Sequence, residues 1–177
     1  MARITFLLGG ARSGKSSYAV DLANRSSDKV LYLATGVPCD SEMEARIEMH
    51  KKTRPESWVV VEEPLNVEAT LNEIDESIEV VIFDCLTFWV SNLLLHYQDK
   101  ESYLETEIIT RVSQVVSIAL NIKSQVIIIS NEVGMGIVPE TPLGRVFRDI
   151  LGKSNQLVKD GAEEVLFMVA GMPIKIK

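Results

Sequence analysis

The stretch RITFLLGGARSGKS, residues 3–16, runs from an apolar segment straight into a glycine-rich turn. Residues 9–16, GGARSGKS, match G-x-x-x-x-G-K-[ST] through Gly9, Gly14, Lys15 and Ser16. A strand before and a helix after is the context that a phosphate-binding loop requires. The chemistry needs these residue types in this order. Glycines let the backbone of Gly9, Gly10, Ala11, Arg12, Ser13 and Gly14 bend until its N–H groups converge on phosphate oxygens. The following helix turns its positive N-terminal end toward the same anion. Lys15 reaches the β- and γ-phosphates, and the Ser16 hydroxyl is placed to ligate Mg2+.

Beyond this stretch, short apolar runs recur at VLYLA (30–34), WVVVE (58–62), VVIFD (80–84), QVIIIS (125–130) and EVLFMVA (164–170). Several are apolar on consecutive positions, as in strands buried on both faces of a parallel sheet. Helical patterns separate them at 15–25, 41–52, 65–76, 86–97, 101–122 and 143–158. Ser41 and Glu44 have capping-box spacing and mark the start of the second helix. Leu143, Val146, Phe147, Ile150, Leu151, Leu157 and Val158 form one stripe on the last. After a turn at Gly171-Met172-Pro173, the alternating IKIK (174–177) reads as an antiparallel edge strand. The expectation is an α/β fold of right-handed βαβ units, a single domain over residues 1–177, with ligands at the carboxyl ends of its strands.

Composition narrows the partners. The formal net charge is −7, which argues against nucleic-acid binding. It leaves room for a local basic pocket that takes a small anion. Two cysteines, Cys39 and Cys85, form no disulfide framework and read as small buried residues. No apolar stretch approaches a membrane span, and the run after Arg3 is too short for a signal peptide. A cytoplasmic location is expected.

VVIFD delivers the Asp84 carboxylate to the edge where phosphates would sit, as a metal-holding acid. A helix-capping role for residues 86–97 is the competing reading of Asp84. In the second helix Met43, Ile47 and His50 share a face, with Arg46 one turn before His50. Such a histidine is ordinarily a packing residue. His96, in LLLHYQ, is read that way too. The loop and Asp84 point to a nucleoside-triphosphate enzyme or switch and do not choose between them.

The chain resembles, nearly end to end, the bifunctional adenosylcobinamide kinase/adenosylcobinamide-phosphate guanylyltransferases of cobalamin (vitamin B12) biosynthesis. The resemblance rests on GGARSGKS, DSEMEARIEMHKKTRPESW (40–58), EEP (62–64), DCLTFWVSN (84–92), NEVGMGIVP (131–139), LGRVFRDILGKSNQ (143–156) and VAGMPIKIK (169–177). It implies a P-loop NTPase (RecA-like) three-layer sandwich, a mostly parallel sheet with an antiparallel C-terminal edge strand, assembled as a homotrimer. It implies two reactions on adenosylcobinamide. ATP or GTP phosphorylates its aminopropanol hydroxyl; GTP then donates GMP to that phosphate through a GMP-histidine intermediate, matched by His50. The family's nucleotide contacts map onto Gly9 to Ser16, Ala34, Thr35, Gly36, Lys51, Lys52, Thr53, Arg54, Glu62 and Asp84. Ser16 and Asp84 are the expected metal ligands, and Lys15 joins His50 as a catalytic residue. Val60 and Lys159-Asp160-Gly161 depart from the family's pattern without touching these positions.

The chemistry asks specific things of these groups. A neutral imidazole can attack an α-phosphate, and its unperturbed pKa is about 6.5. Arg46, Lys51, Lys52 and Arg54 would favour the neutral form and stabilise developing phosphate charge. Glu62 reads as guanine or ribose recognition, or as a plain surface acid. Asn131 and Glu132 could meet the corrinoid. Arg145 and Arg148 could bind phosphate, pair across a subunit contact or face solvent. A simple small-molecule kinase and a regulatory nucleotide-binding protein are the competing functions.

Overall fold

The computed structural model describes residues 3–38, 40–52, 55–98 and 103–177. Within the second helix, the side chains of Met43, Arg46, Ile47, His50, Lys51 and Lys52 lie outside the described set, as do residues 39, 53 and 54 altogether. The elements run β1 (Ile4–Gly9), α1 (Lys15–Ser26), β2 (Val30–Ala34), α2 (Ser41–Lys52), β3 (Val59–Glu62), α3 (Val67–Asn72) and β4 (Val80–Asp84). They continue with α4 (Leu86–Tyr97), α5 (Leu104–Asn121), β5 (Gln125–Asn131), α6 (Pro142–Gly161), β6 (Glu164–Val169) and β7 (Met172–Lys175).

The strands form a seven-stranded sheet in the order β3-β2-β4-β5-β1-β6-β7. All neighbours are parallel except β6 and β7. From β1 the chain steps outward to β2 and β3, then returns through β4, β5 and β6. Right-handed crossovers therefore put α1 and α2 on one face and α3 to α6 on the other. Packing agrees for the helices with described core contacts. Ala19 and Ala23 of α1 share a core with Tyr32, Ile82, Ile127 and Ile129. Leu71, Trp89, Val112 and Leu151, from α3 to α6, share the other with Leu33, Phe83 and Ile128. Alternate residues of each central strand feed opposite cores, which is why these strands are apolar on consecutive positions.

The direction change creates two crevices. β1 and β5 are neighbours whose following helices leave to opposite faces, and so are β2 and β4. Such reversals are where open α/β sheets bind ligands, at the carboxyl ends of the strands.

Some boundaries differ from the sequence reading. The Asp40 carbonyl accepts the Glu44 N–H at 2.9 Å, so Asp40 holds the N-cap place and Ser41 is the first helical residue. The last hairpin turns at Ala170-Gly171, with φ of 50° and 81°, rather than at Gly171-Met172-Pro173. Two positive φ values make the tight turn whose twist suits a hairpin. Val169 thus pairs with Met172, and β7 begins earlier than IKIK. Beyond Lys175 the N–H groups of Ile176 and Lys177 share the Val165 carbonyl, so a bulge ends the regular ladder. On α6, Leu143 and Val146 are exposed, and the buried stripe begins only at Ile150. Gly161 ends α6 where a Cβ would lie 2.4 Å from Val116 Cγ1, so α5 approaches too closely for any side chain there. Among the described residues no helix is long and apolar enough to cross a membrane.

One polar contact anchors the α3–α5 layer. Arg111 Nε and Nη2 donate to Glu68 at 2.6 and 2.8 Å, and Nη2 also reaches the Leu65 carbonyl at 2.8 Å. The guanidinium lies 5.7 Å from the Trp89 ring centre. Both partners are only 14% exposed, so removing one strands a desolvated charge. Glu68→Ala is expected to lower unfolding free energy by about 3 kcal/mol in urea titration, whereas a loss below about 0.5 kcal/mol would mark the pair as a surface contact.

Candidate active site

The glycine-rich turn closes on itself before it meets anything else. Arg12 (φ 56°) and Gly14 (φ 92°) take left-handed conformations, which fold the segment into a concave loop. Arg12, Ala11 and Gly10 are exposed, while Ser13 and Lys15 are buried. The Lys15 ammonium lies within the loop, 7% exposed, and donates to the carbonyls of Gly9 at 2.9 Å and Gly10 at 2.6 Å. Burial lowers its pKa, and the neighbouring Cys85 and Asp84 oppose that shift. Ser16 is half-buried in the first turn of α1.

Two glycines are fixed by close approach. A Cβ on Gly9 would lie 2.6 Å from the Met168 carbonyl oxygen of β6, and one on Gly14 would lie 3.0 Å from Gly171 Cα. Gly171 also donates its N–H to the Ser13 carbonyl at 2.9 Å. The β6–β7 turn therefore forms a wall behind the loop.

Asp84 ends β4 two strands away, with β5 between it and β1. Its carboxylate accepts the Tyr32 hydroxyl. It does not cap α4; Cys85 does, its sulfur accepting from the Phe88 N–H at 3.5 Å. The Cys85 thiol is buried, and burial with the adjoining Asp84 charge pushes its pKa up to about 12, so it is inert near neutrality. Cys39 lies outside the described residues. The Asp84–Cys85 peptide is cis.

Thr35 ties this second crevice together. Its hydroxyl donates to the Cys85 carbonyl at 2.7 Å and accepts the Cys85 N–H at 2.8 Å. Its own carbonyl accepts Asn92 Nδ2 at 2.8 Å, and its N–H goes to the Asp84 carbonyl. Thr35 thus holds the strand end rather than presenting its hydroxyl outward. Ala34 and Gly36, half-buried, flank it. Ala34 pairs with Glu62 on one side and Asp84 on the other, so Glu62, Ala34 and Asp84 form one rank across the edge. Glu63 folds back to accept the N–H groups of Leu65 and Asn66, both at 2.8 Å, while Glu62 is exposed.

The rank places Glu62 and Asp84 at one edge, with the loop four strand spacings from Glu62, about 19 Å. His50, Lys51 and Lys52 end α2, which the crossover rule sets on the α1 face; their side chains, and Thr53 and Arg54, lie outside the described residues. Ser16 and Asp84 offer hard oxygen donors suited to Mg2+. Among the described residues no three His, Cys, Asp or Glu side chains gather into a metal cage.

Further polar residues singled out in the sequence have local partners. Arg145 donates to the carbonyls of Pro139 and Glu140 at 3.0 and 2.7 Å and pins the loop before α6. Arg148 pairs with the adjacent Asp149 at 3.0 Å. Glu132 Oε1 accepts the Gly134 N–H at 2.6 Å. His96 is exposed and packs its ring edge-on against Tyr97. Lys177 caps the end of α6 through the Lys159 carbonyl at 3.2 Å, and Val60 is exposed on the edge strand, so both departures from the family pattern lie away from the site.

Sequence reasoning missed the residues that hold the site. Tyr32, Thr87, Asn92, Ser130 and Asn155 are polar groups inside apolar stretches. That interruption was the available signal: Asn92 breaks WVSNLLL, and Ser154-Asn155 breaks the α6 stripe. A role for Asp84 in holding Mg2+ predicts that Tyr32→Phe weakens Mg2+-dependent nucleotide binding by about tenfold, as the loss of a group that orients a metal-holding carboxylate does. The melting temperature should fall only as one lost hydrogen bond requires. Unchanged Mg2+ dependence would show that the Tyr32 hydroxyl does not orient Asp84.

Comparison with known proteins follows the same lines. The family model described as cobinamide kinase / cobinamide phosphate guanyltransferase matches residues 5–176. The bifunctional adenosylcobalamin biosynthesis protein CobU of Escherichia coli is 42% identical over 176 residues, covering 96% of this chain and 97% of that protein. The corresponding CobP of Pseudomonas aeruginosa is 39% identical over 171 residues, covering 97% and 95%. CobU of Salmonella typhimurium is 37% identical over 176 residues, covering 96% and 97%. In structure, the RadB recombinase superposes with a TM-score of 0.51 at 16% identity, covering 93% of this chain and 73% of that one. That likeness bears on fold alone and fits the RecA-like P-loop architecture. With a family match over nearly its whole length and relatives at this identity, the chain belongs to the cobinamide kinase / cobinamide phosphate guanyltransferase family.

Proposed function

We propose that this chain, acting as one nucleotide-binding transferase domain over residues 1–177, carries out two successive transfers on adenosylcobinamide. In the first, ATP or GTP gives its γ-phosphoryl group to the aminopropanol hydroxyl. In the second, GTP gives GMP to the resulting phosphate, and adenosylcobinamide-GDP is the product. The observation that carries the reading is the pairing of a complete phosphate loop with Asp84 and Glu62 in rank along one strand edge.

The residues divide the work by position. The loop from Gly9 to Ser16 cradles the β- and γ-phosphates, and Lys15 neutralises their charge. Ser16 and Asp84 would hold Mg2+, which supplies charge neutralisation across the phosphates when bound. Glu62 lies at the far end of the rank, on the scale of an extended nucleoside triphosphate from the loop. A guanine or ribose there leaves the α-phosphate between the two crevices, on the face that carries α2.

In the guanylyl step a neutral His50 ring nitrogen attacks the α-phosphorus. An N–P bond forms, the α–β bridging P–O bond breaks, and pyrophosphate leaves with the electron pair while the loop neutralises it. A phosphate oxygen of adenosylcobinamide phosphate then attacks the same phosphorus, and the N–P bond breaks to return the imidazole. One hard displacement becomes two easier ones. Arg46, Lys51, Lys52 and Arg54 supply the positive field for both, and Thr53 adds a neutral nucleotide contact. Thr35 and the neighbouring Ala34 and Gly36 shape the crevice floor.

The reading places the enzyme in the cytoplasm beside its nucleotide substrates, as a homotrimer. Val169, Met172, Ile174 and Ile176, exposed on the β6–β7 edge, are apolar surface available to another subunit. Sedimentation at micromolar concentration should return three times the chain mass; a monomer refutes that part.

Incubation with α-labelled GTP and Mg2+ should leave acid-labile, base-stable label on the protein. His50→Ala should carry none while still binding GTP. Label that persists in His50→Ala would sink the histidine intermediate. Glu62→Gln is expected to lower GTP affinity about tenfold and ATP affinity much less, and equal affinities would reject guanine recognition there.

A further inference from the structure

We infer that the side-chain amide of Asn131 contacts the transferred γ-phosphoryl group in the kinase step. The inference rests on the phosphoryl-transfer reading above and adds a catalytic residue to it.

The position is set by topology. Asn131 is the last residue of β5, and its register partner on β1 is Gly9, the first residue of the phosphate loop. β5 separates β1 from β4, so Asn131 lies between the loop and the Asp84 carboxylate. It borders the β1–β5 crevice, where the following helices part to opposite faces. Direction follows from alternation. Ile127 and Ile129 enter the core beneath α1, and Ile128 enters the other. Asn131 therefore projects to the α1 face, where Val80 and Ile82 by the same parity also put Asp84.

The backbone there is held from three sides. The Asn131 N–H donates to Thr87 Oγ1 at 2.7 Å, and its carbonyl accepts Asn155 Nδ2 at 3.2 Å. The next N–H, from Glu132, donates at 3.1 Å to the Gly9 carbonyl, which also accepts the Lys15 ammonium. Behind this lies a buried relay. Ser130 Oγ meets Thr87 Oγ1 at 3.3 Å and donates to Asn155 Oδ1 at 2.7 Å. Ser130 is fully buried, and Asn155 and Thr87 are 6% and 8% exposed. These groups immobilise a main chain while leaving its side chain aside. Among the described residues no hydrogen bond to the Asn131 amide is present.

A rigid backbone carrying an uncommitted neutral amide, between Lys15 and the metal-holding acid, suits a group whose charge spreads during transfer. The amide Nδ2 donates to an equatorial γ-oxygen. It carries no charge that would repel phosphate, and it removes no proton. Preorganised donors of this kind act on the transition state more than on the bound nucleotide.

The test needs no corrinoid. Wild type, Asn131→Ala and Asn131→Asp are titrated with ADP·Mg2+ alone and with ADP·Mg2+ plus aluminium fluoride, which mimics the transferred group. Asn131→Ala should bind ADP within about twofold of wild type and lose at least about tenfold in the fluoride complex. Asn131→Asp should lose more, because its carboxylate opposes the anion. Both variants keep the main-chain bonds, so their melting curves should match wild type. Equal fluoride affinity in wild type and Asn131→Ala overturns the inference. So does a parallel loss of ADP binding, or a wild type that shows no preference for the fluoride complex. Wild type that binds the fluoride complex yet phosphorylates no adenosylcobinamide would instead refute the proposed function and leave Asn131 in place.

Discussion

The Gly9 carbonyl is the point on which the site depends. It accepts the Lys15 ammonium and the Glu132 N–H, and so joins the phosphate loop to the end of β5. On the other side, the Met168 carbonyl of β6 leaves no room for a Cβ at Gly9. The loop is therefore fixed between two strands of its own sheet before a ligand contributes anything. That matters because donors that must reorganise at the moment of reaction lose much of their electrostatic advantage. The glycine is needed twice, for the bend that aims the amides and for the approach of a neighbouring backbone.

The same logic repeats at the second crevice with different chemistry. There Thr35 bridges both main-chain groups of Cys85, and Asn92 reaches from α4 to the carbonyls of Thr35 and Pro64. Side chains do what the ladder cannot, because parallel strands end in unpaired peptide groups at the edge where ligands bind. Placing Thr35, Thr87 and Asn92 among apolar neighbours makes their bonds to the backbone strong and their loss costly.

Much of this was legible in the sequence because the deciding signals are local. The phosphate loop is a contiguous pattern with a physical meaning, and consecutive apolar residues in VVIFD and QVIIIS announce strands covered on both faces. Helices α2 and α4 fall where periodicity sets them. The turn at Ala170-Gly171 was misplaced by its proline, since only the φ of Ala170 reveals the tighter hairpin. The exposed start of the α6 stripe was invisible for another reason. Periodicity says which residues share a face, and not whether a neighbour covers it. The supporting polar residues were hidden because their partners are distant in sequence: Ser130 with Asn155, Thr35 with Cys85, Tyr32 with Asp84. The order β3-β2-β4-β5-β1, which sets the loop and Asp84 two strands apart, is likewise a property of the whole chain.

A single strand edge serves both of the proposed transfers. Mass spectrometry of the corrinoid product tests it most directly, with adenosylcobinamide, Mg2+ and either ATP or GTP supplied separately. The expected products are adenosylcobinamide phosphate with ATP alone and adenosylcobinamide-GDP with GTP, both abolished by Lys15→Ala. Unmodified adenosylcobinamide under both conditions, from folded protein that binds nucleotide, would contradict it.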